Sequence, residues 1–378
     1  MKRFSVFSLF LFLCISCNTR YNSDRILAID VDSCLTSVPV SIFEFIDKIE
    51  LISLDDTATL SNDAYSGVAN ITTDGANFYI LDDKRFTINA YAPNGKILYS
   101  INRVGRGPGE YTLASQIAYN DKQNLIEILN PLGKILRYSC DSLKYVSELN
   151  FLGTPLATHY ASHIKDEYFL YSHSDEEQLY LLNEQSKVPV SLGYNTPEHM
   201  RNYMASSTDV FSLNGQPCIF RPYDGRLFYI DTEHSELRTM IKWDFGKYNC
   251  KYRDIPKFSN ARDYGNFIIN YSQNHIAAFC SILGTTDKLF CTIIFRGDLY
   301  TLNYNLSDNT YNFFNRTSEG MCFTPELFHG DVMYKFVDYS LLPSYINREI
   351  LDDTTKKYYD QIISQEGSAI IKYTLRSN

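Results

Sequence analysis

Apolar positions after Pro39 fall into short runs with strand spacing, not the three-to-four spacing of a helix. Ile49 to Leu54 is the first, closed by the turn-prone Asp55-Asp56. The clearest set comes next: strands are expected over Asn77–Asp82, Thr87–Tyr91 and Lys96–Ile101, with Ala92-Pro-Asn-Gly95 as the hairpin between the last two. Gln116–Tyr119 then opens a new set. One phrase recurs, an aromatic or aliphatic strand ending in Asp or Asn. It ends at Asp82, Asn130, Asn183, Asp231, Asn303 and, more weakly, Asp338. The first three steps are about 48, 53 and 48 residues, the next about 72 and the last about 35. The long step holds Arg253–Gln273, which reads as a helical insertion. Periods of 40 to 50 residues built from short strands predict a propeller, whose blades cover one another's faces. The fold class expected is all-β, a six-bladed β-propeller. Its closing blade combines the early strand at Ile49–Leu54 with a late one at Ala369–Leu375, after a helix over Asp352–Ser364.

The first residues are of another kind. Lys2 and Arg3 precede an apolar run from Phe4 to Ile15, too short for a comfortable membrane span. Cys17 follows Ser16. A positive start, a short apolar core and a small residue before the cut predict a secretory signal over 1–16. Cys17 makes it resemble a bacterial lipoprotein signal, although Cys14 stands where that pattern usually has Leu. The resemblance implies lipidation of Cys17 and anchoring to the outer membrane, and the lack of acidic residues just after Cys17 points to its periplasmic side. Residues 17–38, polar and without a sustained period, are expected to be a tether, and 39–378 the propeller domain.

Composition narrows the partners. The formal net charge is −9 with no long basic run, which argues against nucleic acid. Thirty Tyr and 24 Phe suit a strand-rich chain. Seven cysteines remain after Cys17, odd in number and irregular in spacing, so they read as small buried apolar residues; the pattern would also allow Cys280 and Cys291 to sit on neighbouring strands and pair.

The stretch Val104-Gly-Arg-Gly-Pro-Gly-Glu-Tyr111 holds three glycines in five residues. It lacks the Lys-Ser/Thr of a phosphate loop, and Pro108 and Gly109 are poor openings for the helix a dinucleotide fingerprint needs. Gly105, Gly107, Pro108 and Gly109 are therefore expected to be a connector between blades. With Asp74-Gly75, Tyr79, Asp82, Tyr91 and Gly95 before it, the stretch resembles an NHL-type propeller repeat. Glu110-Tyr111 stands in place of that repeat's Gln-Phe, as in the six-bladed β-propeller lipoproteins of Bacteroidetes, a family without assigned function. The resemblance covers nearly the whole mature chain, though the glycine connector occurs once.

No catalytic constellation emerges. His159 and His163 have a metal spacing only if their segment is helical, which its pattern does not support. Asp175-Glu-Glu177 reads as a solvated turn, and no Gly-x-Ser-x-Gly elbow is present. The Asp and Asn strand ends either ring a channel mouth or, as preferred, cap their own turns. The residues chosen for ligand binding are Arg103, Arg106, Glu110 and Tyr111 at the connector, with Arg221 and Tyr223 in the fourth repeat, because an Arg/Tyr lining suits an anionic or sugar-like ligand. The competing reading has Arg106 or Glu110 simply tying blades together. No catalytic residue, metal ligand or cofactor is expected. The function expected is a lipid-anchored, non-catalytic module for a small ligand, glycan or envelope protein. The alternative is a metal-dependent, lactonase- or lyase-like propeller enzyme with its site in the central channel.

Overall fold

The computed structural model describes residues 26–55, 70–82, 85–151, 153, 158, 160–164, 166–172, 175–195, 210–221, 223 and 225–376. Two strands precede the first blade: β1 (Ile26–Ala28) and β2 (Ile46–Ser53). Blade 1 comprises β3 (Asn70–Thr73), β4 (Phe78–Asp82), β5 (Thr87–Tyr91) and β6 (Ile97–Asn102). Blade 2 follows with β7 (Gln116–Asn120), β8 (Leu125–Asn130), β9 (Lys134–Ser139) and β10 (Tyr145–Asn150). Blade 3 has β11 (Tyr160–Ile164), β12 (Glu167–Tyr171), β13 (Leu179–Leu182) and β14 (Pro189–Ser191). Blade 4 has β15 (Phe211–Leu213), β16 (Gln216–Arg221), β17 (Arg226–Asp231) and β18 (Glu236–Asp244). Blade 5 has β19 (Ala278–Gly284), β20 (Lys288–Phe295), β21 (Asp298–Asn305) and β22 (Tyr311–Phe314). Blade 6 runs β23 (Leu327–His329), β24 (Val332–Asp338), β25 (Ser368–Leu375) and then β2. The first strand of each blade lies against the first strand of the next, and β23 returns to β3, so the six blades form a closed ring.

The core follows from period-two burial. The middle strands are apolar on both faces, and alternate residues enter different seams. Along β4, Tyr79 and Leu81 pack towards blade 2, whereas Phe78 and Ile80 pack towards blade 6. Along β12, Tyr168 and Leu170 join blade 2, while Phe169 and Tyr171 join blade 4. Each seam is thus one hydrophobic cluster built by two blades.

The recurring Asp/Asn phrase proves to occupy two registers. Asp82, Asn130 and Asp338 end second strands, β4, β8 and β24; Asn183, Asp231 and Asn303 lie at or near the ends of third strands. Successive strands are antiparallel, so these two groups lie at opposite ends of the propeller and cannot ring one channel mouth. Both middle strands are equally buried, which is why one phrase serves either. Five of the six cap their own turns: Asp82 accepts from the Arg85 amide, Asn130 from Leu132, Asn183 from Gln185, Asp231 from His234 and Asp338 from Ser340.

Among the described residues four α-helices decorate the ring: α1 (Val31–Thr36), α2 (Ala261–Ser272), α3 (Leu342–Tyr345) and α4 (Asp353–Gln365). The expected insertion contains α2, N-capped by Asn260, and the expected C-terminal helix is α4, N-capped by Asp352. One expectation fails. Within the supposed tether, β1 pairs in parallel with β18, and α1 packs on β22. The Ile29 amide donates to the Asp244 carbonyl at 2.8 Å, and Asp30 caps α1 through the Ser33 amide. The polar, unpatterned composition hid this because β1 is only three residues long and uses backbone bonds on an existing edge. Cys17 and the rest of the expected signal lie outside the described residues.

Closure rests on β25, which pairs with β24 on one side and β2 on the other, from Ile46↔Leu375 to Ser53↔Ala369. Ala369, Ile370, Ile371 and Tyr373 are all fully buried. Deleting residues 369–378 removes the strand that joins the two ends of the chain. The truncated protein is expected to lose cooperative unfolding or to melt at least 10 °C lower in calorimetry; an unchanged melting temperature contradicts this closure.

Candidate functional site

The glycine connector is structural. The Glu110 carboxylate turns back to accept from the Gly107 amide at 2.7 Å, and a Cβ on Gly105 would lie 2.0 Å from the same carboxylate oxygen. Gly109 has φ +71°, and a Cβ there would meet the Tyr145 ring at 2.5 Å. Its carbonyl accepts from the Tyr138 hydroxyl at 2.7 Å. Tyr111 is fully buried; its hydroxyl donates to the Phe86 carbonyl at 2.7 Å and accepts from the Arg103 amide. Tyr111 and the Gly109 carbonyl therefore tie blade 1 to blade 2, while the Glu110 carboxylate braces the connector itself. Arg103 and Arg106 are exposed beside them. The other signature residues do similar work: Asp74 accepts from the Asn77 amide and the Tyr79 hydroxyl.

The two fourth-repeat residues lead to a different place. Arg221 ends β16 and faces Arg226 on β17, which in turn faces Lys242 on β18. Three basic residues thus stand side by side across blade 4. Both guanidinium groups lie over the Phe228 ring, Arg221 at 5.2 Å and Arg226 at 5.6 Å, and Arg221 also lies over Tyr194. Tyr223 sits in the turn between β16 and β17. It is buried, and its hydroxyl meets that of Tyr264 on α2 at 2.7 Å. The turn and the insertion are thereby locked together, with Ile255, Phe258 and Ile268 in the same apolar cluster.

Beneath this junction lies a cavity of about 400 Å³. Its walls come from Tyr223, Trp243, Phe245 and Phe279, and Arg226, Lys242, Asn249 and Cys250 are among the other lining residues. The aromatic wall is stiff: Trp243 stacks on Phe279 at 5.8 Å, and Phe245 lies 5.9 Å from the same ring. The Asn249 side chain accepts from the Phe245 amide and donates to Asp244, so it holds the chain that rounds the cavity. The Asn249 bond is the main cause, before the Gly246 amide, of an Asp244 carboxyl held below its ordinary range. The described lining contains neither carboxylate nor histidine. Basic residues beside an aromatic wall suit binding of an anion with a flat or apolar body.

The sequence reading missed a second polar cluster, between blades 2 and 3. Arg137 and Glu127 are opposite one another on β9 and β8, both buried, with Nε to Oε1 at 3.0 Å. Arg137 also donates to Glu184 at 2.6 Å and to the Tyr168 hydroxyl at 2.8 Å, and Tyr168 donates to Glu127. Every member has a partner, so the cluster braces the seam. The one signal available was an acid inside the apolar phrase Glu127-Ile-Leu-Asn130, with no way to see its partner from another strand. His163 lies in strand β11 with its ring 4.6 Å from Tyr168, and burial pulls its pKa down; His159 is outside the described residues. Asp175, expected in a solvated turn, is buried and accepts from the Tyr180 hydroxyl at 3.2 Å. Among the described residues no group of three His, Cys, Asp or Glu side chains is arranged to hold a metal ion. Cys280 and Cys291 are both free thiols; Cys291 lies opposite Ile282 across the strand pair.

Substitution separates the connector's backbone role from any ligand role. Gly109→Ala is expected to cost about 1–2 kcal/mol from the left-handed backbone alone, with the Tyr145 clash added. Gly107→Ala, whose Cβ would sit 3.1 Å from Glu110, should cost less. Equal denaturation midpoints for the two variants would contradict this reading.

The fold is shared with proteins that have been solved. A putative exported protein (BF0058) from Bacteroides fragilis superposes with a TM-score of 0.67 at 15% identity, over 93% of this chain and 100% of that one. A member of the duf4221 family from Bacteroides vulgatus gives 0.51 at 11% identity, over 88% and 98%. No curated protein matches the sequence. The sequence pattern of the domain of unknown function DUF4934 matches residues 26–373, a span that takes in β1, the insertion and most of the closing strand β25, and the chain belongs to that family.

Proposed function

We propose that this chain is an exported, lipid-anchored binding module of the cell envelope, acting without catalysis. The observation that carries the binding reading is the cavity at the end of blade 4. A rigid aromatic wall meets Arg226 and Lys242, and the volume of about 400 Å³ falls within the range of small-molecule sites. The export part draws on the signal-like start and on the likeness to a Bacteroides exported protein. Anchoring draws on Cys17 after Ser16. The ligand class that fits is a small organic anion with a flat or apolar body. Guanidinium and ammonium groups hold its charge, and rings pack against the rest. Arg103 and Arg106, exposed beside the connector, offer a second place where an anion can be held.

The test is a thermal-shift screen of the purified mature protein against aromatic carboxylates, acidic sugars and organic phosphates, followed by calorimetric titration. A ligand at one hundred times its Kd raises stability by about 2.7 kcal/mol. A hit is expected whose affinity falls at least tenfold in Lys242→Glu and stays unchanged in Arg106→Ala. An anion that binds equally well to Lys242→Glu contradicts the assignment of the site.

A further inference from the structure

We propose that the outer edge of blade 4, with the insertion beside it, rests against the anionic headgroup surface of the membrane. The inference depends on the anchor at Cys17 proposed above. From Cys17 to Ile26 there are nine Cα steps, which span at most about 30 Å when fully extended. At Ile26 the chain is fixed to the ring. Ile26, Leu27 and Ala28 pair with Lys242, Trp243 and Asp244, and Asp32 takes hydrogen bonds from Lys247 and Tyr248, both at 2.6 Å. The leash therefore ends on the outer edge of blade 4, not at β2 on blade 6, where a tether running to residue 38 would have ended. An acylated Cys17 can therefore lie no further than about 30 Å from this edge.

The chemistry of the edge suits that position. In a chain of net charge −9, Lys242, Lys251 and Lys257 are exposed here; Lys247 and Arg253 are exposed too and pair with Asp32 and Asp254. Three of the local carboxylates are thereby engaged, Asp32 by Lys247 and Tyr248, Asp254 by Arg253 and Asp244 by Asn249. Ile26 is 61% exposed and Ile269 on α2 is 56% exposed, so apolar side chains flank the cations. An acyl chain combined with basic residues holds to a membrane better than one chain alone, and those charges act only within about a Debye length of the surface. The short leash supplies that proximity.

Full-length protein purified from membranes, in detergent and after reconstitution into phosphatidylethanolamine/phosphatidylglycerol vesicles, is labelled with an amine-acetylating reagent and read by mass spectrometry. The N-terminal peptide reports the anchor, and the lysines report the orientation. Acylated Cys17 is expected, with Lys251 and Lys257 modified at least fivefold more slowly on vesicles than in detergent. Exposed Lys96, in blade 1 across the ring, should be unchanged. Acylated Cys17 with no protection of Lys251 and Lys257 overturns the orientation and leaves the anchor standing. Unmodified Cys17 overturns the anchor and this inference with it. Equal protection on phosphatidylcholine vesicles overturns the role given to charge.

Discussion

Every middle strand of this protein is buried on both faces, and neither face is covered by its own blade. Tyr79 and Leu81 need blade 2, while Phe78 and Ile80 need blade 6, from the same five-residue strand. An open stack of such blades would leave two apolar faces and two free edges in water. The ring must close, and β25 between β24 and β2 is what closes it. β25 fills the third position of blade 6, and β2 covers its outside.

Closure explains where variation is tolerated. The seams are fixed by pairs of faces, so additions appear at blade ends and outer edges. The connector Gly105–Tyr111 bridges blades 1 and 2 with hydrogen bonds to Phe86, Arg103 and Tyr138. Residues 245–277 leave the ring after β18, fold α2 over the Tyr223 turn and return at β19. This excursion puts a cavity beside an otherwise filled seam. The aromatic wall is core that the seam requires in any case, and Arg226 and Lys242 stand at its edge.

Much of this was legible from sequence because the interactions are local. Strand spacing, the Asn-Gly hairpin, the capping Asp and Asn residues and the helix before the last strand all lie within a few residues of one another. What was hidden depends on neighbours distant in the chain. The phrase shared by second and third strands looked like one register because both are buried alike. Glu127 and Arg137 form a pair only once β8 and β9 are aligned, and their link to Tyr168 and Glu184 needs blade 3. Tyr111 and Tyr223 were chosen as ring faces for a ligand, yet the hydroxyl of each is committed to the fold. β1 went unseen because three residues on a neighbour's edge carry no period of their own.

Native-state hydrogen exchange on β2 and β25 bears most directly on closure. If the ring is held shut by this pair, their amides exchange only with the slowest amides of blades 2 and 5, through global unfolding. If β2 and β25 exchange early while those blades stay protected, the ring stands without its clasp and the account is wrong.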